Sequence, residues 1–170
     1  KRAEKTNDER SYAPARLQVK SSVLSSGSWV RVSVREGGVY KISYNDLESY
    51  GLSNLENVSL WGNGGHCLPY MNSEQAPDDL NPIPILMSKG DDGIFNQGDY
   101  ILFYAEGPKT FSYNATMDMW EEKSHPYAQQ ISYFITTSLP QSTIETIEES
   151  AAPLNRTANS YDAFLTIERN

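Results

Sequence analysis

Lys89–Tyr104 reads "KGDDGIFNQGDYILFY". Three aspartates (Asp91, Asp92, Asp99) and three glycines (Gly90, Gly93, Gly98) run straight into an apolar, aromatic stretch. Such a segment is a calcium loop, a piece of an active site, or a tight turn feeding a buried strand. A helix-loop-helix calcium site needs oxygen ligands at alternate positions and a bidentate Glu at the twelfth. Counted from Asp91, the third, fifth and twelfth positions hold Gly93, Phe95 and Leu102, so that pattern fails. An irregular site built from Asp91, Asp92 and Asp99 is the weak metal candidate that is left. The stronger reading is a turn: Asp and Gly reverse the chain, Phe95 tucks beneath, Gly98 takes a positive φ, and Asp99 caps the start of the strand. Tyr100–Tyr104 is apolar on both faces, which places it centrally in a sheet.

Outward from this strand, period-two alternation recurs. In Trp29–Arg35 three valines point one way and Trp29, Arg31, Ser33 and Arg35 the other. Gly37-Gly38 reads as a hairpin turn, and Val39–Tyr44 returns with Tyr40, Ile42 and Tyr44 on one face. Asn45 followed by Glu48 has the spacing of a capping box, and Gly51 suits the C′ position. A helix of about two turns is expected there, docked by Leu47 and Leu52. Further strands are expected at Leu17–Leu24, Val58–Trp61, Ile83–Met87, Phe111–Tyr113 and Gln129–Thr137, with a weak one at Ile144–Ile147. Leu68–Pro84 and Asn114–Ala128 read as loops, and Asn159–Asn170 carries enough apolar residues to order against something. The sum is a mainly β chain: an antiparallel β-sandwich or barrel-like domain of about eight or nine short strands with one short capped helix.

The totals narrow the function. The chain has 170 residues, 38% hydrophobic and 11% aromatic, with eleven tyrosines, so a single domain with a true core is within reach. Tyrosine favours half-buried strand positions, and the composition leans extracytoplasmic. A formal charge of −8 and no basic stripe argue against a nucleic-acid partner. No apolar run is long enough for a membrane-spanning helix, so no membrane insertion is expected. Cys67 is the single cysteine, which rules out a disulfide within this chain and a cysteine-based zinc site. A nucleophilic Cys67 would need a histidine from elsewhere. His66 is its neighbour, and neighbours on an extended chain face opposite ways. That leaves His125, with nothing local in support. Gly62-Asn63-Gly64-Gly65 follows a strand but lacks the phosphate-loop signatures, and reads as a sharp turn. No catalytic residue and no cofactor are assigned. Trp29, Trp61 and Trp120 are the possible interaction surface, either a glycan-stacking platform or, in preference, an interface to a neighbouring domain. The N-x-S/T triplets at Asn57, Asn114 and Asn155 are of a kind common by chance.

The order of the motifs carries more than any one of them. Trp29–Val34, Gly38-Val39-Tyr40-Lys41-Ile42-Ser43-Tyr44-Asn45-Asp46-Leu47, Leu60-Trp61-Gly62-Asn63-Gly64-Gly65, Asp92–Tyr104 and Ser132–Thr136 follow one another as in the N-terminal, non-catalytic region of the type IX secretion system sortases. These are gingipain-like cysteine peptidases (the peptidase C25 type) on the outer membrane surface of Bacteroidota. The resemblance spans roughly residues 25 to 138 and extends to the Tyr161–Glu168 tail, although Thr110-Phe111 stands where the family has tryptophan. Residues 1–16, charged and without periodicity, read as a flexible lead-in; a β-rich accessory domain is expected over 17–150 and a polar linker or tail over 151–170 leading to a downstream domain. The catalytic pair of such proteins lies in that later domain, so Cys67 and His66 inherit no role. The implied partners are the downstream peptidase domain and, beyond it, secreted cargo or other secretion components. The implied location is the cell surface. A carbohydrate-binding or adhesion module is the alternative, and it requires a row of coplanar exposed aromatics.

Overall fold

A computed structural model describes residues 20–65, 67–71, 74 and 76–146. The expected lead-in over 1–16, Leu17–Val19, His66, and the tail from Ile147 onward lie outside the described residues. Among the described residues, nine strands and one α-helix form in the order β1 (Val30–Val34), β2 (Gly38–Ser43), α1 (Tyr44–Ser49), β3 (Ser59–Gly62), β4 (Asn81–Ile83), β5 (Ile85–Ser88), β6 (Tyr100–Ala105), β7 (Lys109–Asn114), β8 (Met119–Ser124) and β9 (Ile131–Thr136). One sheet runs β1-β9-β3-β4, a second β2-β6-β5, and β7-β8 stand apart as a two-stranded ribbon. Every strand pairing is antiparallel, and no sheet closes on itself among the described residues. The arrangement is the sandwich of the two expected architectures.

The alternating strands supply its core. Val34, Leu60, Ile131, Tyr133 and Ile135 face inward from the first sheet, and Ile85, Ile101, Phe103 and Ala105 from the second. Phe103 and Tyr133 meet between the sheets with ring centroids 6.2 Å apart. The Tyr133 hydroxyl donates to the Glu106 carbonyl at 3.0 Å and accepts from the Glu106 N–H at 2.7 Å. Burial pushes its phenol above the usual range, against the pull of the Glu106 backbone N–H. Gly62 leaves room for this ring: a Cβ there would lie 2.6 Å from Tyr133 Cδ1. Leu47, Leu52, Leu55, Val58 and Phe95 close one side of the same cluster.

Several expectations change. Gly37-Gly38 is no hairpin, because β1 pairs with β9 and β2 with β6, so this step carries the chain from one sheet to the other. Gly37 is packed instead against Gly107, whose own Cβ would fall 2.5 Å from Gly37 N and 2.6 Å from Glu36 C. Another direct sheet change occurs at Pro84. The expected strand Ile83–Met87 breaks there, with Asn81–Ile83 pairing with β3 and Ile85–Ser88 with β6. Pro82 is tolerated in β4 because that strand is the sheet edge. The helix begins two residues earlier than the Asn45 reading. Ser43 is the N-cap and Asp46 completes the capping box, the Asp46 carboxylate accepting from the Ser43 N–H at 3.2 Å and its hydroxyl at 2.6 Å. Gly51, with φ +78°, closes the helix as expected, and Leu47 and Leu52 dock it. Val23–Ser25 forms a 3-10 turn rather than a strand, because Ser22 caps it and the Asp79 carboxylate takes the Val23 N–H at 2.6 Å. Asn114–Ala128 is not a loop: β8 returns along β7. The expected strand near Ile144 is reduced to a single parallel bridge between Thr143 and Ile85.

A candidate interaction surface

The opening stretch is a turn whose carboxylates hold the chain. Phe95 is buried at 4% exposure and its ring meets Tyr44 edge-on at 5.4 Å. Asp92 accepts from the Ile94 N–H and from the Asn96 side chain, and Asp99 accepts from the Asn96 N–H at 2.8 Å. Gly93 and Gly98 take φ +68° and +105°. Glu56, in the 3-10 turn Leu55–Asn57 just ahead of β3, accepts from Lys89 at 2.6 Å and from the Phe95 N–H at 2.7 Å, which hold its carboxyl below the usual range. Asp92 and Asp99 therefore point their oxygens at backbone and amide N–H groups of the turn itself. No cluster of three metal-binding side chains occurs among the described residues.

Cys67 is exposed. His125 is engaged elsewhere, its Nδ1 accepting from the Tyr127 and Ala128 N–H groups, and no hydrogen bond joins the two among the described residues.

The three tryptophans do not form one platform. Trp29 and Trp61 meet on the first sheet with centroids 6.4 Å apart and planes at 83°. Their indole N–H groups are spent locally, on the Ser26 carbonyl and the Ser59 hydroxyl. Edge-on rings offer no coplanar row for a sugar. Trp120 sits on the ribbon, where it meets Tyr113 at 5.6 Å.

The ribbon is the feature that sequence reading missed. Pairing runs Lys109↔Ser124, Phe111↔Glu122 and Tyr113↔Trp120. Alternation therefore sets Phe111, Tyr113 and Trp120 on one face, and each is about half exposed, at 52%, 51% and 51%. Met117 (65%) and Met119 (48%) add apolar surface at the tip. The turn is built without glycine. Asn114 Oδ1 accepts from the Thr116 and Met117 N–H groups, Asp118 takes φ +51°, and the Tyr113 hydroxyl bonds to the Asp118 carboxylate. Asn114 thus has a structural duty in the turn. At the ribbon base, His125 N–H donates to the Pro108 carbonyl at 2.7 Å, and Lys109 pairs with Glu122 at 2.8 Å. A cleft of about 880 Å³ opens there between the ribbon and the sandwich, lined by Arg35, Tyr104, Phe111 and His125 among others. A two-stranded ribbon alone is marginal in water, and this one carries a half-exposed aromatic face.

No protein-family model and no curated protein matches the chain. Among solved structures, the crystal structure of dimeric latent PorU from Porphyromonas gingivalis matches 77% of this chain with a TM-score of 0.61 and 31% identity. The domain is PorU-like. The chain spans 11% of that protein's length, so the match concerns a domain within a far larger polypeptide.

Proposed function

We propose that this chain is a non-catalytic accessory domain of a cell-surface, gingipain-like cysteine peptidase of the type IX secretion system, and that it acts through protein contacts. PorU is the sortase type that the sequence motifs resemble, and its structural match supports the reading. The observation that carries the contact role is the ribbon face of Phe111, Tyr113 and Trp120. Aromatic side chains dominate interface energetics when they fill a partner's pockets, and exposed apolar patches of this kind mark interaction sites. The proposed partner is the peptidase domain, with secreted cargo as the second surface the face could meet. The proposed location is extracytoplasmic, at the outer membrane surface. The carbohydrate-binding alternative is not favoured, since Trp29 and Trp61 lie edge-to-face.

The test is calorimetry of this domain against the peptidase domain of the full-length protein at pH 7.5. Binding with a negative ΔCp is expected, as for apolar docking. Replacing Phe111, Tyr113 and Trp120 by Ala should weaken it by about 30-fold or more, the loss of a single hot spot being about 2 kcal/mol. Equal binding by the triple variant would remove the ribbon from the interface. No binding by the wild-type domain to peptidase or cargo would overturn the accessory role.

A further inference from the structure

The end of β6 turns a carboxylate outward beside an aromatic ring. Ala105 is fully buried, so Tyr104 and Glu106, on either side of it, emerge on one face. They line both the ribbon cleft and a second hollow of about 500 Å³. Gly62 and Gly64, at the end of β3, put bare backbone into that second hollow, and Ile83, Pro84 and Ile144 give it an apolar side. Its electrostatics are one-sided: Glu106 is the only charged side chain lining it among the described residues. The Glu106 Oε2 accepts from the Gly65 N–H at 3.3 Å, and a carboxylate has lone pairs for further donors. Asn81 donates its backbone N–H and its Nδ2 to Asn63 Oδ1 at 3.2 and 2.9 Å, which leaves Asn81 Oδ1 as an acceptor without a hydrogen bond among the described residues. Tyr104 is 59% exposed, and no cation lies over its ring among those residues. Tyr100, on the same face of β6, is already so engaged, with Lys41 Nζ 3.9 Å from its ring centroid.

A carboxylate, a free amide oxygen, an open aromatic face and an apolar wall, with no cation among them, complement a positive charge carried on an aliphatic stem. We propose that this hollow receives an arginine side chain of a partner polypeptide, its guanidinium stacked on Tyr104 and donating to Glu106, its methylenes against Ile83 and Ile144. Long cationic side chains lay their stems on apolar surface in this way. Arginine fits better than lysine because its planar head stacks and donates in one pose, whereas an ammonium is a compact point charge. The formal charge of −8 on the chain draws a basic segment towards it. A bound metal ion does not fit, since no group of three metal-binding side chains occurs among the described residues. The site goes beyond the ribbon reading: it is a second contact point, with its own chemistry, and it uses none of Phe111, Tyr113 and Trp120.

The experiment is a proton–nitrogen NMR titration of the 170-residue chain at neutral pH with the peptide acetyl-Val-Arg-Val-amide. Beside it runs the same peptide with citrulline, which has the shape of arginine without its charge. The amides of Gly62, Gly64, Gly65, Ile83 and Ile144 should shift saturably with the arginine peptide. Binding should be about tenfold weaker for the citrulline peptide and for E106Q, at the low end for a hydrogen bond to a charged group. Glutamine keeps an oxygen for the Gly65 N–H, and the citrulline comparison needs no variant, so it decides the case even where a substitution disturbs the fold. Y104L, which keeps apolar bulk but removes the ring, should weaken binding about fivefold. No saturable shift at millimolar peptide, equal binding of the citrulline peptide, or shifts confined to the ribbon cleft would overturn the site, and a lysine peptide that binds as tightly would overturn the assignment to arginine. None of these readings uses the peptidase domain, so a failure here leaves the ribbon reading standing, and a ribbon that binds nothing leaves this site standing.

Discussion

Removing one oxygen from Tyr133 should unsettle the whole sandwich. The hydroxyl of this buried ring, 1% exposed, serves both the N–H and the carbonyl of Glu106, where β6 gives way to the ribbon. Tyr133→Phe keeps the ring, its packing on Phe103 and its fit over Gly62, so the cavity term is negligible. What is lost is the single partner that two backbone groups share. Leaving a buried polar group unserved costs about 1–3 kcal/mol. The site is only partly enclosed, so about 2 kcal/mol for the pair is the reasoned value, taken at the low end for each group. In urea this moves the midpoint down by about 1 M at an m-value near 2 kcal/mol/M. Tyr40→Phe is the internal control. Its hydroxyl donates to the Glu36 carbonyl at 2.8 Å in an exposed setting, so water can replace it and about 0.5 kcal/mol is expected. Two equal losses, or a Tyr133→Phe cost under about 0.5 kcal/mol, would refute the claim that this hydroxyl pins the end of β6. The same group gives a pH signature. Its raised phenol pKa makes the linked stability complete below about pH 10 and lost as pH rises through the folded value. Tyr133→Phe should abolish that alkaline loss.

Gly107→Ala should cost about 3 kcal/mol by calorimetric melting, because the new Cβ meets Gly37 N and Glu36 C, backbone atoms that cannot step aside; an unchanged Tm would mean the two connections are not in contact. Ser43→Ala should cost about 1 kcal/mol in urea titration through loss of the capping box, and a neutral outcome would remove Ser43 as the N-cap. Asp46, Glu56 and Asp79 have carboxyls held below their usual range, chiefly by the Ser43 side chain, the Lys89 side chain and the Val23 N–H respectively. The stability they contribute is present above about pH 4 and lost as pH falls through their lower folded values. Melting curves from pH 5 to pH 2 should therefore be flatter for Glu56→Gln and Asp79→Asn than for the wild type.

Strands that bury one face wrote themselves into the sequence. Trp29–Arg35 and Gln129–Thr137 alternate because one side meets the core; Tyr100–Tyr104 is apolar throughout, yet its burial alternates as well, with Ile101 and Phe103 buried and Tyr104 exposed. The turn at Asp91–Asp99 was readable because Asp and Gly have fixed local duties there. The ribbon was not. Met119–Ser124 has solvent on both faces, so no period-two signal marks it, and its turn uses Asn114 and Asp118 where a glycine would have announced a reversal. By sequence, Trp120 therefore reads as loop, and its neighbour Tyr113 as part of an isolated short strand. Pairing was illegible for another reason. Gly37-Gly38 looks like a hairpin by composition, but the chain crosses between sheets there and packs Gly37 against Gly107, a contact between distant parts of the chain.

The pairing of β1 with β9 has a consequence in time. Ser33 lies beside Ser132 across a sequence separation of 99 residues, and β9 is also the strand that joins β1 to β3. Local contacts form first and long loops close late, so the second sheet and the ribbon can be assembled while β1 still waits for its neighbour. A chain elongating from its N-terminus holds Val30–Val34 as an open, valine-rich edge until Thr136 has been made. Until then, the nascent domain depends on whatever shields that edge.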